Sequence, residues 1–144
     1  MLENMVAIIR IRGKVHVRND IKYTLKLLRL NRKMHCVIIK KNKVYEGMLQ
    51  KVKDYVTWGE ISEEILKNII EKRGRKIGNK RLTKEEAEEV FNDFVKNGKS
   101  DKIKPVFRLT PPSGGFKKSI KQHFPKGELG YRGNKINDLL KRMI

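Results

Sequence analysis

Apolar residues alternate in MVAIIRIR, residues 5–12, where Met5, Ala7, Ile9 and Ile11 fall on one side and Arg10 and Arg12 on the other. That period of two predicts a half-buried strand ending at Gly13. The period then lengthens: from Asn19, a predicted N-cap, Ile21, Leu25 and Leu28 recur at helical spacing as far as Leu30. Residues 35–40 predict a second strand around Cys36 to Ile39, and Val44, Met48 and Val52 with Leu49 predict a second helix. A short third strand, Val56 to Trp58, follows. Two strand-helix steps leading to a third strand predict an α+β fold with a β-α-β-α-β core over residues 1–60 and its helices on one face of a small sheet.

The next stretch, residues 61–104, reads as a helical extension. Ser62 is placed to cap a run containing Ile65, Leu66, Ile69 and Ile70, Glu63 and Glu64 sit where a helix dipole favours acids, and Gly74 can end the run. Thr83 and Glu86 fit a capping box for a further helix striped by Ala87, Val90, Phe91 and Phe94 and stopped at Asn97-Gly98. Residues 105–144 read as a basic Pro/Gly ribbon with a closing helix. Val106 to Leu109 has room for one more strand, and Ile136, Leu139, Leu140 and Met143 stripe the closing helix.

Charge changes this picture from a fold into a binding problem. The 144 residues carry 35 Lys and Arg against 16 Asp and Glu, a formal net charge of +19 with a pI near 10.2. The excess is +9 over residues 1–60, +2 over 61–100 and +8 over 101–144. Such a field repels itself and calls for a polyanion, with RNA or DNA phosphate as the default. A membrane partner is disfavoured, because no window approaches the roughly 20 consecutive apolar residues that a span requires. MLENMVAIIRIRG has too short an apolar run for a signal peptide, which predicts a cytoplasmic protein. The single cysteine, Cys36, sits in the apolar run HCVIIKK and reads as a small core residue; it excludes an intramolecular disulfide and a Cys-based zinc cluster.

Other apparent motifs dissolve on inspection. His16, His35 and His123 are scattered without ligand spacing, so neither a metal nor another cofactor is predicted. Glu85, Glu86, Glu88, Glu89 and Asp93 read as a solvated helix face rather than acid-base machinery. Gly98, Lys99 and Ser100 imitate the end of a P-loop, but the first glycine of that pattern is replaced by Asp93 and the flanks look helical. Trp58 beside Gly59 reads as a buried residue at a strand end. No cofactor-binding glycine motif, nucleophile-base pair or metal constellation is present in the sequence, so the chain is not predicted to be an enzyme and no small-molecule substrate is expected.

Three segments carry the candidate RNA contacts. Arg12, Lys14, His16 and Arg18 follow the first strand and lead into a helix N-terminus. The loop KRGRKIGNKR, residues 72–81, has six basic positions in ten: Lys72, Arg73, Arg75, Lys76, Lys80 and Arg81. Residues 105–132 hold all four prolines and a single acid, Glu128. A backbone so broken by Pro111, Pro112, Gly114 and Gly115 should run over the surface and take its order from RNA. Arg108, Ser113, Gly114, Gly115, Lys117, Lys118, Lys121, Lys126 and Arg132 are its candidate contacts to the RNA backbone, Arg108 equally a candidate to pair with an acid. Phe116 and His123 are candidates to stack on bases, Phe116 equally a candidate anchor to the protein's own core.

The blocks AIIRIRG, LKLLRLNR, VTWGEIS, IEKRGR, VFRLTPPSGGFKKSIKQHF and GELGYRGNKINDLLKRMI, in this order, resemble the archaeal and eukaryotic type of the large-subunit ribosomal protein L30 family. The likeness spans nearly the whole chain, and its most specific part is the Pro-Gly-Gly-basic segment. One position departs: Ser113 stands where that segment would carry a basic residue. The resemblance implies a core related to the ferredoxin-like plan, of which bacterial members share only about the first 60 residues. It implies a non-catalytic component of the large subunit, located in the cytoplasm on the ribosome, that binds and helps order large ribosomal RNA. The 5S RNA and neighbouring large-subunit proteins are further candidate partners. An RNA-directed enzyme and a basic DNA-binding protein are the alternative readings of the charge.

Overall fold

The computed structural model describes residues 5–13, 17–76, 80–97, 103–104, 106–116, 119–124 and 126–144. Met5–Arg10 forms strand β1, and all six of its residues are buried. It pairs antiparallel with β2 (His35–Lys40) on one side and with β3 (Val56–Glu60) on the other, so that Ile8 lies between Val37 and Trp58. Alternation sorts its side chains into two cores. Met5, Ala7 and Ile9 join Cys36 and Ile38 on one face, while Val6 and Ile8 join Val37, Ile39, Val56 and Trp58 on the other. The half-buried strand expected from the sequence is thus buried on both faces, and even Arg10 is only 3% exposed. The alternation of Ile and Arg identified one core face and concealed the second.

Helices α1 (Asn19–Leu27) and α2 (Lys43–Val52) contribute Leu25, Leu49 and Val52 to the second face, as a β-α-β-α-β unit with its helices on one side requires. Asn42 caps α2 by accepting from the Tyr45 N–H at 2.8 Å. Asn19 is instead the first helical residue of α1, with Arg18 in the cap position and no side-chain cap bond. Val44, counted in the apolar stripe of α2, is 73% exposed; Tyr45 packs against the core in its place.

Three later helices cover the opposite face: α3 (Glu63–Arg73), α4 (Lys84–Asn97) and α5 (Ile136–Met143). Ser62 accepts from the Ile65 N–H at the start of α3. The Thr83 hydroxyl accepts from the Glu86 N–H and donates to the Glu86 carboxylate at the start of α4. Ile65, Leu66, Ile69, Ile70, Val90, Phe94, Leu139, Leu140 and Met143 meet β1 and β2 there. Burial at about 25 cal/mol per Å² makes these two layers the dominant stabilising term.

The sheet extends to six strands in the order β4-β2-β1-β3-β6-β5. Strand β4 (Val106–Arg108) pairs antiparallel with β2; β6 (Gly127–Tyr131) runs parallel to β3, and β5 (Ser119–His123) parallel to β6. Residues 105–132 are therefore not a surface ribbon throughout. Pro112, Gly127, Glu128, Leu129 and Gly130 are buried, while the turn around Gly114 is exposed and open. Pro111, Pro112, Gly114 and Gly115 lie at the junction between β4 and β5, whereas Gly127 and Gly130 lie inside β6, a use that composition does not separate from an unfolded tail.

Cys36 has no accessible surface and burial pushes its thiol up to about 12. Since the thiolate is the reactive form, a thiol reagent at about pH 8 should leave the native protein unmodified and label it stoichiometrically once denatured. Fast labelling of the native protein, read by mass spectrometry, would contradict the packing of β1 on β2.

Candidate nucleic-acid interface

Arg10 shapes the exit of β1. Its buried guanidinium donates to the carbonyl oxygens of Leu30 at 2.6 Å, Arg12 at 2.9 Å and Gly13 at 3.4 Å. Burial lowers its pKa, and three carbonyls are the compensation for holding the charge there. The effect is to tie the turn after β1 to the turn after α1. Arg12 then stands over the Tyr55 ring at 5.1 Å and reaches the Asp54 carbonyl at 3.4 Å, while its own N–H and that of Ile11 donate to the Tyr55 carbonyl.

A chain of backbone hydrogen bonds extends this end of the sheet. Met34 N–H donates to Arg10, Leu109 N–H to Met34, Thr110 N–H to Met143 and Ser113 N–H to Arg142. Arg73, in the last turn of α3, reaches the Thr110 hydroxyl at 3.5 Å. Because β1 and β4 end here, β2 and β3 begin here, and α3 and α5 finish here, residues from all three candidate segments meet at one end of the sheet. His123 joins them through Asp54, with Nε2 and Oδ1 2.7 Å apart.

The side chains differ in what they have left to offer. Arg108 on edge strand β4, Lys72, Lys80, Arg81 and Lys126 are exposed and have no side-chain partner among the described residues. Arg18 is an exposed surface pair with Asp20 at 2.9 Å, whose head remains 76% accessible. In the basic loop, Arg75 donates through Nη1 to the Lys72 and Gly74 carbonyls, and its backbone bridges to Arg81. Lys76 is ion-paired to Glu86; that bond, before any other cause, holds the Glu86 carboxyl below its usual range.

At the Pro-Gly turn, Gly114 and Gly115 take φ of 77° and 76°, left-handed values that favour glycine, and a Cβ on either would meet nothing within 4 Å. The backbone there is open to close approach by a sugar-phosphate strand. Arg142 of α5 holds the turn in shape by donating to the Ser113 and Gly115 carbonyls. Phe116 is partly buried against the core of α3 to α5, which makes it an anchor rather than a free stacking ring. Lys14, His16, Lys117 and Lys118 lie outside the described residues, as do Gly98, Lys99 and Ser100, and Lys121 is described as a backbone position in β5.

Arg132 has to be removed from the interface. It is 8% exposed and donates through Nη2 to the Glu128 carboxylate at 2.8 Å and through Nε to the Thr57 hydroxyl at 2.8 Å. Phe124 lies against its guanidinium at 5.6 Å. The last basic residue of the segment is thus a bolt between β6 and β3, and Glu128, its only acid, is the counterion. Sequence reading missed Arg10 and Arg142 as well. The signal for Arg10 was its place inside an apolar run; for Arg142, its place in the last turn of a strongly amphipathic helix.

Among the described residues, no three His, Cys, Asp or Glu side chains gather as a metal site, and no helix is long and apolar enough to cross a membrane. A sequence model of ribosomal protein L30p/L7e matches residues 6–56. The chain is 48% identical over 162 aligned residues to the large ribosomal subunit protein uL30 of Staphylothermus marinus, covering 99% of this chain and 100% of that protein. It is 50% identical to the uL30 of Nanoarchaeum equitans, covering 97% and 99%. The uL30 of Methanococcus vannielii is also 50% identical, with 96% and 98% covered.

Breaking the Arg132 pair tests its structural assignment. Arg132→Ala removes the buried Glu128 pair and the Thr57 hydrogen bond together and should cost about 3–5 kcal/mol, read by urea unfolding. The folded fraction should bind RNA with an unchanged salt dependence; a weakened slope with unchanged stability would return Arg132 to the interface.

Proposed function

The chain belongs to the ribosomal protein L30p/L7e family, and on that premise we propose that it is a structural, non-enzymatic component of the large ribosomal subunit that binds and helps order ribosomal RNA. The observation that carries the RNA reading is the gathering, at one end of the sheet, of cations from segments up to about a hundred residues apart: Arg12, Lys72, Lys80, Arg81 and Arg108. Structured RNA is recognised largely through phosphate and 2′-hydroxyl contacts and through shape, and a rigid end bearing mobile cations suits that task. The open turn at Gly114 and Gly115 adds a backbone that can lie directly against a strand.

The physical form of binding follows. If about eight basic side chains engage phosphates, the slope of log K against log salt should be roughly −6 to −7. Titration of a labelled large-subunit RNA fragment across salt concentrations measures it, and a slope near zero would sink the proposal.

The loop gives a sharper variant. Arg75 and Lys76 have structural partners, so the residues to remove are the exposed Lys72, Lys80 and Arg81. Replacing these three by Ala should reduce the salt slope by roughly two to three while leaving the circular dichroism melt within a few degrees of the parent. Unchanged affinity in the folded variant would mean that the loop is merely solvated.

A further inference from the structure

The opposite end of the sheet, where β1 begins and β3 and β6 end, has another chemistry. A cavity of about 560 Å³ opens there between the first turns of α2 and those strand ends. Trp58 and Tyr131 line it with ring centroids 6.3 Å apart, Trp58 buried and Tyr131 51% exposed. The Tyr131 hydroxyl donates to both Glu60 carboxylate oxygens at 2.6 and 2.8 Å, which fixes the angle of the ring. That neutral hydroxyl is the only side-chain partner of the Glu60 carboxylate among the described residues, so its charge is left without a cation. Lys43 at the cavity has no ion pair among the described residues, whereas Lys41 is matched to Glu46 at 3.8 Å. Gly47 of α2 also lines it, and a Cβ there would meet nothing within 4 Å.

We propose that this cavity receives one unstacked purine nucleotide of the bound RNA, with its ring on Tyr131, its exocyclic amine donating to Glu60 and its phosphate at Lys43. The three functional groups of the cavity match the three parts of a nucleotide. An aromatic face stacks a base, a carboxylate accepts from a base amine and repels phosphate, and a free ammonium attracts phosphate. An arginine or lysine of a neighbouring protein would also suit the aromatic ring and Glu60, but it would meet Lys43 as a like charge. Uracil has no exocyclic amine and a smaller stacking surface, so it is discriminated against. The proposal rests on the RNA-binding reading and adds to it a contact that recognises a base, at the end of the sheet remote from the phosphate-binding cations.

Trp58 is the only tryptophan of the chain, so its fluorescence reports the cavity without a label. Single-stranded hexa-adenylate and hexa-uridylate carry the same charge, and titrating each at one salt concentration separates base recognition from phosphate attraction. Adenylate should quench Trp58 and bind roughly tenfold tighter than uridylate. Gly47→Leu, which fills the cavity at a position with room for a side chain, should abolish the difference, and Tyr131→Ala should do the same. Equal quenching by both hexamers, or undiminished quenching in Gly47→Leu, would overturn the proposal. So would quenching by an arginine-rich peptide alone, which would make the cavity a protein-docking site. Large-subunit RNA serves as the control. If it still binds the parent with a steep salt slope while the hexamers fail to discriminate, only the cavity assignment falls; if it fails to bind at all, the RNA reading falls too.

Discussion

Everything in this molecule hangs on a central strand buried on both faces. A chain with 35% charged residues has little apolar surface to spend, and β1 uses its share twice, with Met5, Ala7 and Ile9 serving one core and Val6 and Ile8 the other. Two helices and then three can therefore pack on one small sheet, and the cations are displaced to its ends. Self-repulsion of a +19 chain opposes any compact state, so a double-sided core is the term that offsets it. Arg10 is the point where core and interface meet: it is held among apolar residues, and its three carbonyl bonds set the path of the backbone on which Arg12 is carried.

The parts of the fold that were legible in the sequence are those governed by local periodicity and caps. Strands β1 to β3, helices α1 to α5 and the capping residues Ser62 and Thr83 all follow from spacing and short-range hydrogen bonding. What was not legible depends on pairing between distant segments. The sequence of residues 119–131 has turn residues and cations where a strand signal would carry β-branched residues, and β6 is held by partners that only the fold supplies: β3 beside it and Thr57 against Arg132. An Arg and a Glu four residues apart look alike whether they are solvated or buried together. The candidate site was legible to a similar degree. Composition located the basic segments, but it did not separate cations engaged at home, such as Arg75, Lys76 and Arg132, from cations left over, such as Lys80 and Arg108.

That distinction governs how the proposed interface would meet RNA. A cation with some of its N–H groups already committed to a carbonyl or a carboxylate, Arg12 included, offers a phosphate only the donors that remain. Its further contribution lies in shape. Arg142 holds the Ser113 and Gly115 carbonyls and so presents two left-handed glycines in a fixed turn, while Arg75 closes the end of α3 and sets the position of the loop that carries Lys80 and Arg81. The remaining, unpaired cations are long and flexible, and they adjust to phosphates without moving the backbone.

On the proposed reading, the two ends of the sheet divide the work by physics. Phosphate attraction at the cationic end would be long-ranged and indifferent to sequence, and by itself it would allow the protein to slide along any RNA. The far end carries the Glu60 carboxylate, which has no cation partner among the described residues, an aromatic ring hydrogen-bonded to it, and one ammonium, Lys43, placed for a single phosphate. A single base contact there, several strand residues away from the phosphates, would select among the registers that the cationic end accepts. A rigid six-stranded sheet between the two contacts is what turns a weak preference for one nucleotide into a choice of orientation.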